Sequence, residues 1–529
     1  MEILEIYTDK EPPVEKEQKR VRILIGSSQF RIQQISKIPS KWWNLILFLI
    51  VATFHFVWLV STQGFTIVNI SGDAQDIWKT ITTWGTDHVH YSYVLYKGFF
   101  ALQPYLLLYR IAIVFGLPDS SLIIAFFGLL YAYSSVYGFP AIISHLVGKG
   151  EPITTWKRAL FAFVFFQLTK YTYAYSELMV DLPSMASFLI LIHLAICLPE
   201  ADRLQNQCTK SYVQFLITGL CVGVCVGFSG QYFLATCCIV VFILIKLFYL
   251  FKRSFPQVNK YAGICMMFFI AGVALVISID KMISSAIAEE VVASGVWYPK
   301  GNFWLKRALY LNLQYYQPFW KYIPNNRLIQ VVYNVYGEAE ANQKFIAAGA
   351  GDPYAVWSIL DYLSTMLKYP IDFISSWINH LLYIISLDQH HQCVSALSIG
   401  YTSVYIVLYS FVTQIKRWKD VFQRNFWIVG GFFSIVIPIL VTHIEPRYAI
   451  SISGFFLSYA ICSNILWQLL GCFTQTVSKV IQTKSFSCLK EERIPMGFFL
   501  WIVFIMVLFS WYAALMENCR LDVDILFHW

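Results

Sequence analysis

Three short stretches of this 529-residue sequence place carboxylates beside apolar segments: SGDAQD at 71–76, ELMVD at 177–181 and HIEPRY at 443–448. A positioned carboxylate takes the proton from a hydroxyl nucleophile as the new bond forms. An arginine binds phosphate through planar, charge-assisted contacts. Together these residue types predict the transfer of a group from a phosphate leaving group to a hydroxyl acceptor.

The candidate catalytic residues are the four carboxylates of the first two stretches. Asp73 follows a glycine and would also suit a turn, and Asp76 would equally suit a solvated loop. Glu177 and Asp181 are four residues apart, so they would share a face if the segment were helical. Because like charges on one face repel, a cation or a sugar between them is favoured. Alternatively, Asp181 caps a helix whose first turn contains Pro183.

The candidate phosphate-binding residues are Arg447, Tyr448, His443 and Lys170. Arg447 lies in a very short stretch between two apolar segments, where its alternative role is to reach lipid headgroups. Tyr448 beside it would stack or hydrogen-bond. His443 and Lys170 are further groups that would stabilise the charge of a leaving phosphate.

The elements that must position these residues are predicted to be membrane-spanning helices. Hydrophobic residues make up 57% of the chain and charged residues 13%, whereas soluble domains carry about 25% charged residues. The net charge of +8 does not indicate nucleic-acid binding, because much of it lies where a cytoplasmic membrane surface favours it. We therefore predict an all-α polytopic membrane protein.

About eleven segments are apolar enough to span a bilayer, which takes about 20 residues each. They are 42–60, 121–147, 159–174, 183–198, 212–227, 232–251, 261–279, 393–414, 426–443, 449–470 and 497–515. With eleven spans, the basic residues of the short loops fall on one side together with the basic tail at 1–41. We therefore expect a cytoplasmic N-terminus and all three acidic stretches on the outer face.

The segment FFALQPYLLLYRIAIVFGL at 99–117 is also apolar. Counted as a span, it would move the basic loop at 149–158 to the outside. It also contains Pro104 and Arg110. We therefore predict a helix that lies in the outer membrane interface, within one outer segment at 61–120.

The expected organisation has two transmembrane modules, at 42–280 and 393–515, and an outer tail at 516–529. Between the modules lies a large outer region at 281–392, which is rich in tryptophan and tyrosine. These side chains favour the headgroup zone. The region is expected either to form a structural cap or to cover a cavity that binds lipid or glycan.

This arrangement resembles the GT-C glycosyltransferase superfamily, and most of all its protein O-mannosyltransferase and aminoarabinose transferase branches. The resemblance rests on the acidic motif of the first outer loop, the interfacial helix after it, the second acidic turn, and the E-x-R-Y-like motif ending at Tyr448. The stretch GLCVGVCVGFSGQYF at 219–233 is similar to their Gly-rich helix end, although Gln231 stands where they have a lysine. The layout covers most of the chain, whereas the motifs are short.

The resemblance implies that Asp73 is the catalytic carboxylate of the first outer loop and that Glu177 or Asp181 belongs to a second acidic site. It also implies that Arg447 and Tyr448 contact the lipid-phosphate donor. Where those branches have an adjacent Asp-Glu pair, this chain has Asp73 followed by alanine. A Mg²⁺ or Mn²⁺ cofactor is therefore not favoured, because adjacent oxygen ligands suit these ions.

The predicted function is the transfer of a sugar from a polyprenyl-phosphate donor to a cell-surface glycan, lipid or protein, with inversion, as in cell-wall or polysaccharide biosynthesis. The alternatives are a polymerase or ligase of lipid-linked glycans, for which mainly arginine and histidine are expected, and a flippase. A flippase is disfavoured because the span centres carry few charges. A glycan on the sequon at 69–71 would crowd Asp73, which favours a bacterial plasma membrane.

Overall fold

The computed structural model describes residues 40–65, 72–86, 98–147, 153–169, 178, 180–199, 208–228, 230–252, 256–293, 358–368, 370–371, 373–374, 377, 381, 394–441, 449–463 and 465–483. Over these residues the chain is helical and contains no strand. The α-helices are α1 (Ser40–Gln63), α2 (Gly72–Thr83), α3 (Phe99–Val114), α4 (Ser121–Ala132), α5 (Phe139–Val147), α6 (Thr155–Thr169), α7 (Asp181–Cys197), α8 (Cys208–Phe228), α9 (Phe233–Lys252), α10 (Pro256–Ala293), α11 (Ile359–Lys368), α12 (Val394–Thr413), α13 (Ile415–Ser434), α14 (Val436–Val441), α15 (Ile450–Cys462) and α16 (Ile465–Thr483). A π-helix (Tyr133–Gly138) joins α4 to α5, and a 3₁₀ turn (Gly230–Tyr232) precedes α9.

Six stretches within the described residues are long and apolar enough to cross a membrane. They are Lys41–Gln63, Ser121–Val147, Thr209–Phe228, Gly230–Phe251, Asn259–Glu289 and Trp418–Val441. A seventh would combine α15 with the first part of α16, which are bent by 51°. Shorter apolar helices cover Phe99–Val114, Asp181–Cys197 and Thr402–Thr413. The chain is therefore an integral membrane protein, whereas the count of about eleven spans stays a prediction and the segment 497–515 lies outside the described residues.

The surface of α1 fits a lipid environment. Leu49, Ile50, Phe54 and Val57 are each more than half exposed. On the side that faces the protein, Leu59 is fully buried. A helix that is apolar on its exposed side as well as its packed side is typical of a membrane span.

The predicted interfacial segment forms helix α3, which ends at Val114 rather than at 117. Its place in the membrane interface stays a prediction. Tyr109 of α3 packs edge-on against Trp78 of α2, with ring centroids 5.6 Å apart. Arg110 donates a hydrogen bond to the carbonyl oxygen of Trp84. This contact explains how a charged residue is accommodated in an apolar helix.

Helix α2 differs from the loop or turn that was considered for SGDAQD. Its backbone is helical from Gly72 onward, so Asp73 does not occupy a turn. The helix buries Ala74, Ile77 and Ile81, which have the i, i+3, i+7 spacing of one helical face. Burial of this apolar face against α3 explains why a stretch with a glycine and two aspartates is helical.

Helices α8 and α10 make backbone contact through glycines at helical spacing. A Cβ atom on Gly219 would lie 2.1 Å from the carbonyl oxygen of Phe269, and one on Gly272 would lie 2.5 Å from that of Leu216. A Cβ on Gly223 would lie 2.6 Å from the Cβ of Val276. Small residues spaced by four allow such close approach between membrane helices. The Gly-rich stretch at 219–233 therefore packs one helix against another.

A cluster of phenylalanines joins the two predicted transmembrane modules. Phe139 of α5 packs edge-on against Phe165 of α6, with centroids 5.6 Å apart. Phe432 of α13 stacks on Phe455 of α15 at 4.5 Å. Phe139 also packs against Phe432 at 6.3 Å. The modules therefore share one apolar core, which fixes helices from both halves of the chain relative to each other.

Within the predicted large outer region, α11 begins with a reciprocal cap. The Ser358 N–H donates to the Asp361 carboxylate at 2.8 Å, and the Asp361 N–H donates to the Ser358 hydroxyl at 3.2 Å. Such pairs satisfy backbone amides that a helix start leaves unpaired. Whether this region is a cap or a cover for a cavity stays open, because 294–357 lies outside the described residues.

Candidate functional site

Asp181 is the first residue of α7 and is 9% exposed. The first turn of a helix has amides without intrahelical partners, and its dipole favours negative charge. Leu178 and Val180 lie in bends before the helix. The condition for a shared helical face, a helix over this stretch, is therefore not met at Leu178 and Val180, and Glu177 itself lies outside the described residues.

Two buried tyrosines lie within electrostatic range of the carboxylate of Asp181. It interacts electrostatically with the hydroxyl groups of Tyr105 on α3 and Tyr232 in the 3₁₀ turn. The Tyr232 hydroxyl is in turn hydrogen-bonded to the Ser451 hydroxyl of α15. These four residues form what we call the tyrosine–aspartate cluster. It brings together four segments that are far apart in the sequence.

The electrostatics of the cluster favour neutral tyrosines around a charged carboxylate. Burial raises the pKa of Tyr105 well above its usual range, and the negative charge of Asp181 raises it further. Tyr105 therefore keeps its proton at neutral pH. A neutral phenol can donate or accept a hydrogen bond, so the cluster combines such hydroxyl groups with a carboxylate.

An apolar layer supports the cluster. The rings of Tyr232 and Phe188 lie 5.4 Å apart, and Phe188 packs edge-on against Phe432 at the same distance. Tyr105 packs edge-on against Phe127 at 6.0 Å. This aromatic packing fixes both tyrosine rings in an apolar surrounding. Electrostatic interactions are stronger in such a low-dielectric setting.

The structure describes the side chains of two predicted site residues, Asp181 and Asp76. Asp76 is half-buried on α2, and its carbonyl oxygen accepts a hydrogen bond from the Thr80 hydroxyl at 2.7 Å. The backbone of Asp73 lies in the first turn of α2, but its side chain is outside the described residues. The other predicted residues also lie outside them: Glu177, Lys170, His443, Arg447 and Tyr448.

The HIEPRY stretch nevertheless ends close to the cluster along the chain, because Ser451 follows soon after Tyr448. Ser451 itself was not among the predicted residues, nor were Tyr105 and Tyr232. In the sequence, each of these residues is only a polar side chain in or beside an apolar run. Such residues are common in membrane proteins. Only the tertiary contacts distinguish these three residues from the many other tyrosines and serines.

No group of three or more His, Cys, Asp or Glu side chains that would hold a metal ion occurs among the described residues. This leaves the expectation about Mg²⁺ or Mn²⁺ untested, because most of the predicted acids lie elsewhere in the chain. The chemistry that the described cluster supports is the binding and orientation of hydroxyl groups by a carboxylate and neutral phenols.

Comparison with known proteins does not assign the chain to a family. No protein-family model matches it, and no curated protein matches its sequence. Among solved structures it is similar to the archaeal oligosaccharyltransferase AglB from Archaeoglobus fulgidus in complex with an inhibitory peptide and a dolichol-phosphate. The TM-score is 0.36 and the identity 12%, over 90% of this chain and 56% of that one. A likeness at this level establishes neither the fold nor the activity of the chain.

Proposed function

We propose that this protein is a membrane glycosyltransferase of the GT-C type, which transfers a sugar from a polyprenyl-phosphate donor to a hydroxyl of a glycan, lipid or protein. The observation that carries the proposal is the tyrosine–aspartate cluster: a buried carboxylate within electrostatic range of two buried tyrosines, inside an apolar helical bundle. The sequence motifs around Asp73 and Arg447 support the same chemistry. We further propose that the site faces the outside of a bacterial plasma membrane.

In this mechanism Asp73 is the general base. The acceptor oxygen forms a bond to the anomeric carbon, its proton passes to the Asp73 carboxylate, and the bond from that carbon to the phosphate oxygen breaks. Direct attack of this kind inverts the anomeric centre. A positioned general base contributes a rate factor of about 10² to 10⁴.

Arg447 would stabilise the phosphate as it leaves, with Tyr448, His443 and Lys170 as further contacts. Asp181 and the two tyrosines would orient hydroxyl groups of the sugar or of the acceptor. Positioning of reactants is itself a large part of catalysis. No metal ion is required by this scheme, because the cationic side chain balances the charge of the phosphate.

A lipid-borne donor fits a site inside an apolar bundle. The polyprenyl tail would remain in the bilayer beside lipid-facing helices such as α1, while the sugar-phosphate headgroup enters among the helix ends. Large apolar exposure on α1 is consistent with contact to such tails.

The test uses the full-length protein in lipid nanodiscs with polyprenyl-phosphate-linked mannose, glucose, galactose and aminoarabinose. Membrane vesicles from cells that lack the protein supply the acceptors. Release of polyprenyl phosphate is measured for the unsubstituted enzyme, Asp73→Asn and Arg447→Ala. Asp420→Asn is the matched control, because Asp420 is an exposed aspartate on α13.

We expect release from at least one donor, no release by Asp73→Asn, a loss of at least about a hundredfold in Arg447→Ala, and normal release by the control. Near-normal release by a folded Asp73→Asn protein would overturn the assignment of the base. Loss in Arg447→Ala alone would instead favour the polymerase or ligase class. Movement of the donor across the bilayer without release would indicate a flippase.

A further inference from the structure

Asp280 on α10 contacts the start of α3 directly. Its carboxylate accepts a hydrogen bond from the backbone N–H of Phe100 at 3.0 Å. Phe100 lies in the first turn of α3, where backbone amides have no partner within the helix. No side chain of its own segment caps this helix start. The cap is therefore supplied by a residue that is 180 positions away in the sequence.

The contact requires a glycine at the N-cap of α3. Gly98 has a φ of 93°, a conformation that side chains of L-residues disfavour. A Cβ atom there would lie 3.2 and 3.3 Å from the two carboxylate oxygens of Asp280 and 3.5 Å from the carbonyl oxygen of Gly227. Three helices thus meet at this point: α3 through Gly98, α8 through Gly227 and α10 through Asp280.

The position of Asp280 is set by the backbone contact between α8 and α10. Gly272, Val276 and Asp280 are spaced by four residues, so they lie on one face of α10. The first two pack against the glycines of α8. Because that contact leaves no flexible side chain to absorb a shift, the carboxylate of Asp280 is held at a fixed place relative to the bundle.

We infer that Asp280 is a positioning residue for the proposed site: by capping α3 it fixes the start of the helix that carries the buried Tyr105 of the tyrosine–aspartate cluster. Tyr105 lies five residues after Phe100 and is fully buried. A shift of the first turn of α3 would therefore move the Tyr105 hydroxyl away from the carboxylate. The kinetic part of this inference rests on the proposed function, whereas its structural part does not. Asp280 does not itself contact substrate in this scheme.

The experiment compares Asp280→Ala, Asp280→Asn, Gly98→Ala and the double variant Asp280→Ala/Gly98→Ala in nanodiscs. The control is Glu289→Ala, since Glu289 is an exposed acid on the same helix. Hydrogen exchange is followed in the peptides covering 99–109 of α3 and 180–188 of α7. The kcat and the KM for the donor are measured in parallel.

We expect Asp280→Ala and Gly98→Ala to raise exchange in both peptides and to lower kcat about tenfold with little change in KM. Asp280→Asn retains an acceptor oxygen for the Phe100 amide, so it should restore both readouts most of the way. The double variant should be no worse than either single variant, because both remove the same interaction. Glu289→Ala should change neither readout.

Unchanged exchange in the α3 peptide of Asp280→Ala would overturn the cap. A rise confined to α3, without a change in α7, would overturn the positioning of Tyr105 against Asp181. Unchanged kcat in an active enzyme, or a rise in KM alone, would also overturn it. If the unsubstituted protein releases polyprenyl phosphate from no donor, the proposed function fails, and exchange in the α7 peptide alone decides the positioning role.

Discussion

The two ends of α7 carry opposite charges in different settings. At its N-terminus, Asp181 lies within electrostatic range of Tyr105 and Tyr232. At its C-terminus, the ammonium group of Lys246 on α9 donates hydrogen bonds to the carbonyl oxygens of Ala195 and Ile196, both at 2.9 Å. Each charge matches the nearby end of the helix dipole. The difference lies in the partners, which are tyrosine side chains for Asp181 and backbone carbonyl groups for Lys246.

A second pair of charges repeats the pattern. Asp280 accepts from a first-turn amide of α3, whereas Arg158 on α6 donates to the carbonyl oxygens of Ile153 and Val136. Val136 lies in the π-helix, where the altered turn makes its carbonyl accessible to an outside donor. Within a bilayer these backbone groups must find partners in the protein. The comparison teaches that the cations anchor backbone carbonyls, while Asp181 interacts with tyrosine side chains of two other segments.

The comparison is tested most strongly by Asp181→Asn. The amide keeps the size of the side chain but removes the charge that orients a ligand hydroxyl, so we expect turnover of the donor to fall by about a hundredfold. The midpoint of thermal unfolding should change little, because asparagine also suits a helix start. Steady-state release of polyprenyl phosphate and thermal unfolding in detergent are measured together. A large loss of stability with normal turnover per folded molecule would show that Asp181 stabilises the fold and is not needed for turnover.

The opposite outcome is expected for Lys246→Met. Methionine fills a similar volume but leaves two carbonyl oxygens without their charged donor, so the free energy of unfolding should fall by about 1.5 to 3 kcal/mol. Turnover per folded molecule should stay normal. Thermal unfolding is the measurement, and Lys210→Met is the control, because Lys210 is exposed on α8. Equal losses in both variants would show that the anchoring by Lys246 is not specific.

Gly219→Ala should disturb the helix bundle as a whole, because it separates α8 from α10. The new methyl group would meet the carbonyl oxygen of Phe269 at 2.1 Å, and overpacking of this kind costs about 1 to 3 kcal/mol. Stability and turnover should fall together. Gly263→Ala on α10 is the matched control, because nothing lies within 4 Å of its added Cβ. That variant should be neutral or slightly more stable. Normal behaviour of Gly219→Ala would contradict the backbone contact.

The smallest effect is expected for Arg158→Lys. Lysine keeps the positive charge but cannot reach two separate carbonyl oxygens with a rigid fork of donors. We expect the free energy of unfolding to fall by about 0.5 to 1.5 kcal/mol, with turnover unchanged. Thermal unfolding at constant detergent concentration measures it. A fall in turnover without a fall in stability would place Arg158 with the catalytic residues instead.

Local patterns in the sequence were enough to predict the apolar helices and the helix at 99–117, and they single out Asp181 as a candidate whose role stays a prediction. A charge beside an apolar run is visible without knowledge of the fold. Helix α2 was missed because its glycine and aspartates suggest a turn, although Ala74, Ile77 and Ile81 have helical spacing.

The partners of Asp181 could not be predicted, because Tyr105 and Tyr232 become relevant only through tertiary contacts. Asp280 stands at the end of an apolar run and was visible as an acid. Its role depends on Gly98, which lies on another helix and has an ordinary sequence context. Residues that act across helices are therefore the part of the site that sequence patterns leave out.

The glycine contacts between α8 and α10 have a further geometrical consequence, because they loosen along α8. An added Cβ would meet its nearest neighbour at 2.1 Å on Gly219, at 2.6 Å on Gly223 and at 3.6 Å on Gly227. At Gly227 that neighbour belongs to Phe100 of α3 rather than to α10. Helices α8 and α10 therefore diverge towards Gly227, and the first turn of α3 lies between them. The angle between α8 and α10 therefore determines how far the start of α3 can lie inside the bundle.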